Sequence, residues 1–252
     1  KGIVFYPSPV MWDIQLLQKP HHMLRELSKE GYLVLFLTPD PLRDGVKKVR
    51  QIDDNLYLIG DIGMLYGLKD EDLVLWITWT PSIVCKEIFH KSTVVYDWMD
   101  ELCVFYLYSD AMVSDHNRLV KSADIMIASS GSLYEKVLPV RGDVLLVSSG
   151  VSCEDFVPDD DIVPEDMKRF IEQKKPVIGF YGSIEGWRMD YSLIKYVCEH
   201  CSDMNFVFIG PSYDGSVTQL SSLRNLFLLG PKKYADLKYY LKLFDTALIP
   251  YK

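Results

Sequence analysis

Short continuous apolar runs alternate along this chain with longer amphipathic stretches. The runs are GIVFY from Gly2, YLVLFL from Tyr32, LYLI from Leu56, LVLWIT from Leu73, TVVYDW from Thr93, DIMIAS from Asp124 and DVLLVS from Asp143. After a break they resume as PVIGFYG from Pro176, NFVFIG from Asn205, NLFLLG from Asn225 and DTALIP from Asp245. Most lack the in–out alternation of a half-exposed strand. Continuous apolar strands are expected where helices cover both faces of a parallel sheet. The stretches between them predict helices over Pro20–Lys29, Pro81–Phe89, Ser114–Ser122, Ser132–Leu138, Met189–Cys201, Ser216–Ser222 and Tyr234–Leu243. Strand, helix, strand in that repetition is an α/β fold with right-handed crossovers.

The break holds PDDDIVPED and then a charged segment, expected to be helical, that ends EQKK. Its polarity, acidity and prolines predict a linker over residues 152–175. The chain then divides into a domain of residues 1–151 and a second α/β unit, 176–252, with only four strands. Two doubly wound domains imply a cleft, with ligands held outside the carboxyl ends of the strands. The final FDTALIPYK reads as a strand that stops as its loop begins, and the first residue is Lys1. The expectation is a piece of a longer protein, with the second domain truncated.

Composition changes little in this picture and excludes several others. The 252 residues are 48% hydrophobic and 25% charged, as in ordinary globular proteins, so disorder and a disulfide scaffold are excluded. The net charge of −8 argues against broad nucleic-acid binding, which needs clustered Lys and Arg. No apolar run reaches the length of a membrane span. Five cysteines, mostly far apart, fit reduced thiols and a cytoplasmic protein. Cys198 and Cys201 form C-E-H-C, but a structural zinc site needs a second such pair and there is none. They are read as thiols on an apolar helix face, and no metal is expected.

Candidate chemistry follows the strands. The turn after the first strand has neither G-x-G-x-x-G nor a P-loop, which removes the commonest dehydrogenase and ATPase readings. Pro20 suits a first helical position, and His21 and His22 beside it either cap and pack or line a cleft. Asp97, Asp100 and Glu101 arrive together in VVYDWMDEL. A carboxylate there serves as a general base, binds a hydroxylated substrate, or merely caps a helix. In FYGSIEGWRMD, glycines surround a strand end and let a backbone approach a ligand, with Arg188 adding charge. NFVFIGPS and NLFLLGPKK repeat the strand–glycine–proline theme at Gly210 and Gly230, with Lys232 beyond.

Several segments then fall into one order. QKPHHMLRELSKEGYLVLFLTP resembles the Q-R-P-x-H-L-A opening of bacterial GT-B glycosyltransferases. VVYDWMDEL is similar to their Y-D-x-x-D-(D/E) segment, and ADIMIASSGSLYEKV to the strand and helix that follow. SSGVSCEDFVP resembles their P-N-G-V-D-x-x-x-F-x-P hinge, and VIGFYGSIEGW, FVFIGP and LRNLFLLGPKKYADLKYYLKLFDTALIPY follow as the donor domain does. The resemblance covers nearly the whole chain, and glycosyltransferase family 4 and its neighbours look most similar. It implies two Rossmann-like domains facing a cleft, with an acceptor-side first domain and a partial nucleotide-sugar donor domain.

Carried over by position, Gly182 and Ser183 would lie near the donor diphosphate, Gly210 and Pro211 along the nucleotide, and Gly230, Pro231 and Lys232 at the base. Arg188 would add the nearby cation. Asp97 and Asp100 would face sugar and acceptor, and Trp12, His21 and His22 would line the acceptor side. The implied substrates are a nucleotide-diphosphate sugar and a saccharide or lipid-linked acceptor of cell-surface polysaccharide synthesis. No cofactor is implied, since dipoles and basic side chains stabilise the leaving diphosphate. The implied place is the cytoplasm, with peripheral contact at the inner face of the membrane. The chain departs from the pattern in places. Ser148 and Ser149 replace Pro-Asn in the hinge, Cys153 lies near the usual Asp, and Pro-Ser-Pro replaces the first glycine-rich turn. The P-x-K-x-x-E-Y segment expected after Pro250-Tyr251 is absent. The other readings are a sugar-nucleotide epimerase of the same architecture and a non-catalytic protein that binds a glycan or a partner.

Overall fold

A computed structural model describes residues 1–105 and 107–252. The chain forms two compact units, one of Lys1–Ile14 and Gln18–Gly150, the other of Gln15–Leu17 and Val151–Lys252.

The first unit begins with β1 (Ile3–Pro7), α1 (Lys19–Lys29) and β2 (Leu33–Leu37), then the hairpin of β3 (Val49–Asp53) and β4 (Leu56–Ile59). It continues with β5 (Leu73–Ile77), the short α2 (Cys85–Ile88), β6 (Thr93–Trp98), α3 (Asp110–Ser122), β7 (Ile125–Ala128), α4 (Gly131–Val137) and β8 (Leu145–Leu146). The strands lie in the order β3-β4-β2-β1-β5-β6-β7-β8. All neighbours run parallel except β3 and β4. The chain moves from β1 to β2 on one side and returns to β5 on the other. The switch point therefore lies between β1 and β5, where ligands of such sheets bind.

Alternate residues of each strand feed opposite faces. Phe5, Leu35, Leu75 and Tyr96 pack in one core; Val4, Tyr6, Val34, Phe36 and Leu58 pack in the other with Trp12 and Leu24. Each fully buried side chain of this size contributes roughly 1.5–3 kcal/mol. The helices between strands start on polar caps. Ser109 accepts the Met112 N–H at α3, and Ser130 accepts the Leu133 N–H at α4.

The second unit holds α5 (Glu165–Gln173), β9 (Val177–Tyr181), α6 (Tyr191–His200), β10 (Asn205–Ile209), β11 (Leu226–Gly230), α7 (Leu237–Leu241) and β12 (Thr246–Ala247). Its parallel sheet has the order β11-β10-β9-β12, so the switch point lies beside β9.

The charged helical segment expected within residues 152–175 is α5, which buries Met167 and Phe170 against Val177 and Val207. The structure differs from the sequence reading at two places. The strand β3 was not expected. The expected helix over Ser216–Ser222 is a 3-10 turn, and those over Pro81–Phe89 and Tyr234–Leu243 begin as 3-10 turns and continue into α2 and α7.

Candidate functional site

In the first unit the candidate residues gather where β1, β5 and β6 end. Tyr6 on β1 shares a hydrogen bond of 2.7 Å with Thr78, just beyond β5. Burial pushes the Tyr6 phenol far above its ordinary range. Asp97 on β6 is 1% exposed and accepts from Lys19 Nζ at 2.9 Å. Lys19 is the first residue of α1, so this ion pair fixes the start of that helix against the end of β6. Asp97 is thus a buried, paired carboxylate at the end of β6. Asp100 is exposed, and Glu101 is paired with Lys136.

The loop between β1 and α1 is held from both sides. His21 is fully buried at the third position of α1. Its Nδ1 accepts the Gln18 N–H at 3.2 Å, and its Nε2 lies 3.1 Å from the Met11 carbonyl. That assigns the proton to Nε2, which donates to Met11. Burial lowers the His21 pKa and keeps the ring neutral. Trp12 is buried against Phe36 and His21. Asp44, also fully buried, accepts the Trp12 and Asp13 N–H groups at 2.9 Å each, and the Thr38 hydroxyl as well. Trp12 and His21 thus support this loop from beneath. His22 is partly exposed on the same helix. Sequence reading missed Lys19, Asp44 and Thr38. A lysine at the first position of a helix is a usable signal, because the macrodipole disfavours a cation there unless an anion compensates.

In the second unit three adjacent strands end in glycine. The Gly182 N–H donates to the Ile209 carbonyl at 3.0 Å, and the Gly210 N–H donates to the Gly230 carbonyl at 3.0 Å. The Ile184 N–H donates to the Pro211 carbonyl at 2.9 Å. A Cβ on Gly210 would fall 1.8 Å from the Gly182 carbonyl oxygen, so the two backbones touch only because that side chain is missing. Gly210 and Gly230 also have φ of 145° and 68°, which favour glycine.

Around this seam, Ser183 is 7% exposed and its hydroxyl has no hydrogen-bond partner among the described residues. Arg188 lies over the rings of Trp187 and Tyr251, at 5.0 and 5.7 Å, and makes no ion pair among the described residues. Its guanidinium fork is therefore available to an anion. Lys232 is engaged instead, bonded to Asp166 at 2.7 Å and set over Tyr240. Pro231 is exposed and Pro211 buried. The N-terminus of α6 is occupied by its own cap, Asp190, which accepts the Leu193 N–H at 2.9 Å. Among the described residues no group of three or more His, Cys, Asp or Glu could hold a metal ion. Cys198 packs in the core of this unit and Cys201 against it. No described helix is long and apolar enough to cross a membrane.

Two parallel α/β units, each with its candidate residues at the carboxyl ends of strands beside a switch point, make up the fold of the GT-B glycosyltransferases. Over its full length the chain matches sucrose-phosphate synthase from Thermosynechococcus elongatus, with a TM-score of 0.71, 12% identity and 76% of that chain covered. It matches Anabaena Alr3699/HepE in complex with UDP and glucose over 98% of its own length and 73% of that chain, with a TM-score of 0.68 and 12% identity. A protein of Listeria monocytogenes described as a candidate UDP-N-acetylglucosamine 2-epimerase shares the fold at a TM-score of 0.59 and 10% identity, over 98% of this chain and 73% of its own. In sequence, the chain is 26% identical over 203 residues to TuaH of Bacillus subtilis strain 168, described as a candidate glycosyltransferase of teichuronic acid biosynthesis. That match spans 72% of this chain and 49% of TuaH, so the chain aligns with about half of this relative. No protein-family model matches.

Proposed function

We propose that this chain is the acceptor-side unit and part of the donor-side unit of a nucleotide-sugar-dependent glycosyltransferase, acting in cell-surface polysaccharide synthesis. The observation that carries the reading is the glycine seam of Gly182, Gly210 and Gly230. It brings backbone, an unpaired Ser183 hydroxyl and an unpaired Arg188 to the end of the strands beside the switch point. An anionic diphosphate finds there a hydroxyl and a guanidinium, with local donors acting against an overall charge of −8. The teichuronic acid biosynthesis named for TuaH supports a role in polysaccharide synthesis, and the UDP and glucose held by HepE support a nucleotide-sugar donor. Gly182, Ser183, Arg188, Gly210 and Pro211 are assigned to the donor, and Gly230, Pro231 and Lys232 to its base through backbone groups. His22 and the exposed Asp100 are assigned to the acceptor side. In the reaction the acceptor hydroxyl attacks the anomeric carbon as the nucleoside diphosphate leaves. The work is done in the cytoplasm, at the inner face of the membrane when the acceptor is lipid-linked.

Thermal unfolding of the chain with UDP, GDP and their sugars tests this reading. A nucleotide at a hundred times its Kd stabilises the state it binds by about 2.7 kcal/mol. Stabilisation by one of these nucleotides is expected, and none by any of them would refute the proposal. Incubation with the sugar nucleotide and no acceptor separates the epimerase reading, since only an epimerase interconverts the donor.

A further inference from the structure

The strands β9, β10 and β11 carry the glycine seam at their carboxyl ends. Their amino ends border a cleft of about 760 Å³ that the donor reading does not use. Each of these strands has five residues, so the two ends of the sheet lie about 16 Å apart at roughly 3.3 Å per residue. A group held at one end is out of reach of the other.

The walls of the cleft are fixed from within the unit. Asn205, 2% exposed, donates from Nδ2 to Gln173 Oε1 at 2.9 Å and ties the start of β10 to the end of α5. Asn225 Nδ2 lies 3.0 Å from the Cys198 and Cys201 carbonyls and 3.3 Å from that of Met204, so the start of β11 closes the last turn of α6. Two cations then line the cleft from separate loops, Lys175 before β9 and Arg224 before β11. Lys175 Nζ donates to the Ser202 carbonyl at 3.1 Å, which places the ammonium and leaves two of its protons unused. The Arg224 guanidinium makes no hydrogen bond and no ion pair among the described residues. A third cation, Arg169, stands over the ring of Phe227, another lining residue, at 4.8 Å. Acids outnumber basic residues 35 to 27 in this chain, yet neither lining cation has a carboxylate partner. Glu199, the one carboxylate among the lining residues, is likewise unpaired among the described residues.

A planar guanidinium holds two oxygens of a phosphate and an ammonium a third, so cations on facing loops suit a phosphomonoester. A carboxylate only accepts, so Glu199 repels the phosphate and suits hydroxyls elsewhere on the same molecule. The volume falls in the range of small-molecule sites, about 300–1,000 Å³. We propose that this cleft binds a small hydroxylated phosphomonoester, with Lys175 and Arg224 on the phosphate and Glu199 on the hydroxyls. It is a second ligand site of the unit, separate from the glycine seam.

Calorimetric titration of the full chain tests this with ribose 5-phosphate, inorganic phosphate and ribose as probes. Ribose 5-phosphate should bind saturably and more tightly than either of the others. Arg224→Gln and Lys175→Gln should each weaken both phosphate probes at least about fivefold. Glu199→Gln should weaken ribose 5-phosphate and leave inorganic phosphate as tight or tighter. Arg188→Gln, at the glycine seam, should leave binding unchanged. Arg224 and Glu199 are exposed, so their variants should keep the wild-type Tm, and binding can be compared on folded protein. No saturable binding of ribose 5-phosphate, or equal binding of ribose, overturns the proposal. So does wild-type affinity in both Arg224→Gln and Lys175→Gln. Binding lost in Arg188→Gln and kept in Arg224→Gln also overturns it, by placing the phosphate at the glycine seam.

Discussion

Replacing Lys19 by Met leaves Asp97 with no counter-charge at a position that is 1% exposed. At 2.9 Å and an effective dielectric constant of about 20, the lost attraction is about 6 kcal/mol gross. Part of that is returned, because Lys19 no longer gives up hydration and no longer opposes the α1 dipole. Measured losses from breaking a buried pair on one side are about 3–5 kcal/mol. We expect Lys19→Met to cost about 3 kcal/mol. Asp97→Asn should cost less, because the lysine side chain is 23% exposed and its ammonium can turn to water. The double variant should recover much of the loss, since replacing both partners of a buried pair is often close to neutral. The assay is urea unfolding followed by tryptophan fluorescence. Trp12, Trp76, Trp79 and Trp98, four of the five tryptophans, lie in the first unit, so the signal reports mainly on the right part of the chain. A cost below about 1 kcal/mol for Lys19→Met, the range of an exposed surface pair, would refute the argument. So would purely additive costs in the double variant.

Gly210→Ala places a Cβ 1.8 Å from the Gly182 carbonyl oxygen at a φ of 145°, so strain and overlap should together cost about 2–5 kcal/mol in the second unit. Near-wild-type urea stability of that variant would contradict the seam. His21 and His116 both have pKa values lowered by burial, so the unfolded chain binds protons more readily than the folded one. Stability is fully present above an unfolded His pKa of about 6.5 and falls as pH drops below it, by at most about 1.4 kcal/mol per pH unit for each ring. Tm measured from pH 7.5 to 5 should decline in the wild type and less steeply in His21→Gln; equal slopes would remove His21 from the cause. Burial pushes the Cys85 and Cys198 thiols up to about 11, while Cys103 and Cys153 are exposed. Mass spectrometry after brief iodoacetamide treatment should find label on Cys103 and Cys153 only, and early label on Cys198 would contradict its packing.

The strands that sequence reading found are those buried on both faces, such as Val4–Pro7 and Asn205–Ile209, where burial demands an unbroken apolar run. The strand it missed, Val49–Asp53, is the antiparallel edge of its sheet, exposed at alternate residues, and its polar VRQID carries no apolar run. For α5 the helix was legible but its packing was not, because only Met167 and Phe170 of EDMKRFIEQ are buried and two anchors in a charged stretch read as part of a linker. Gly210 was legible because a backbone forced close to another backbone admits one residue type, and Gly182 and Gly230 because their φ of 156° and 68° favour glycine. The partner of Asp97 was not, because Lys19 lies 78 residues away and only the order β1-β5-β6 brings the start of α1 to the end of β6.

Residue type nominated the candidates, but satisfaction sorts them. Asp97, His21, Trp12 and Lys232 all have chemistry suited to a sugar or a phosphate, and all are engaged by Lys19, by backbone groups, by the core or by Asp166. Engagement of that kind makes a side chain part of the scaffold, since a ligand would have to repay the bond it breaks. Ser183, Glu185 and Arg188 are the reverse case. Each is polar, each is at least partly withdrawn from water, and none of the three side chains has a hydrogen-bond or ion-pair partner among the described residues. Holding such groups in place lowers the stability of the free protein, a cost that functional sites carry and scaffolds do not. A ligand arriving there breaks nothing and supplies the missing bonds. That asymmetry moves the centre of the candidate chemistry from the carboxylates of VVYDWMDEL to the loop GSIEGWR that follows β9.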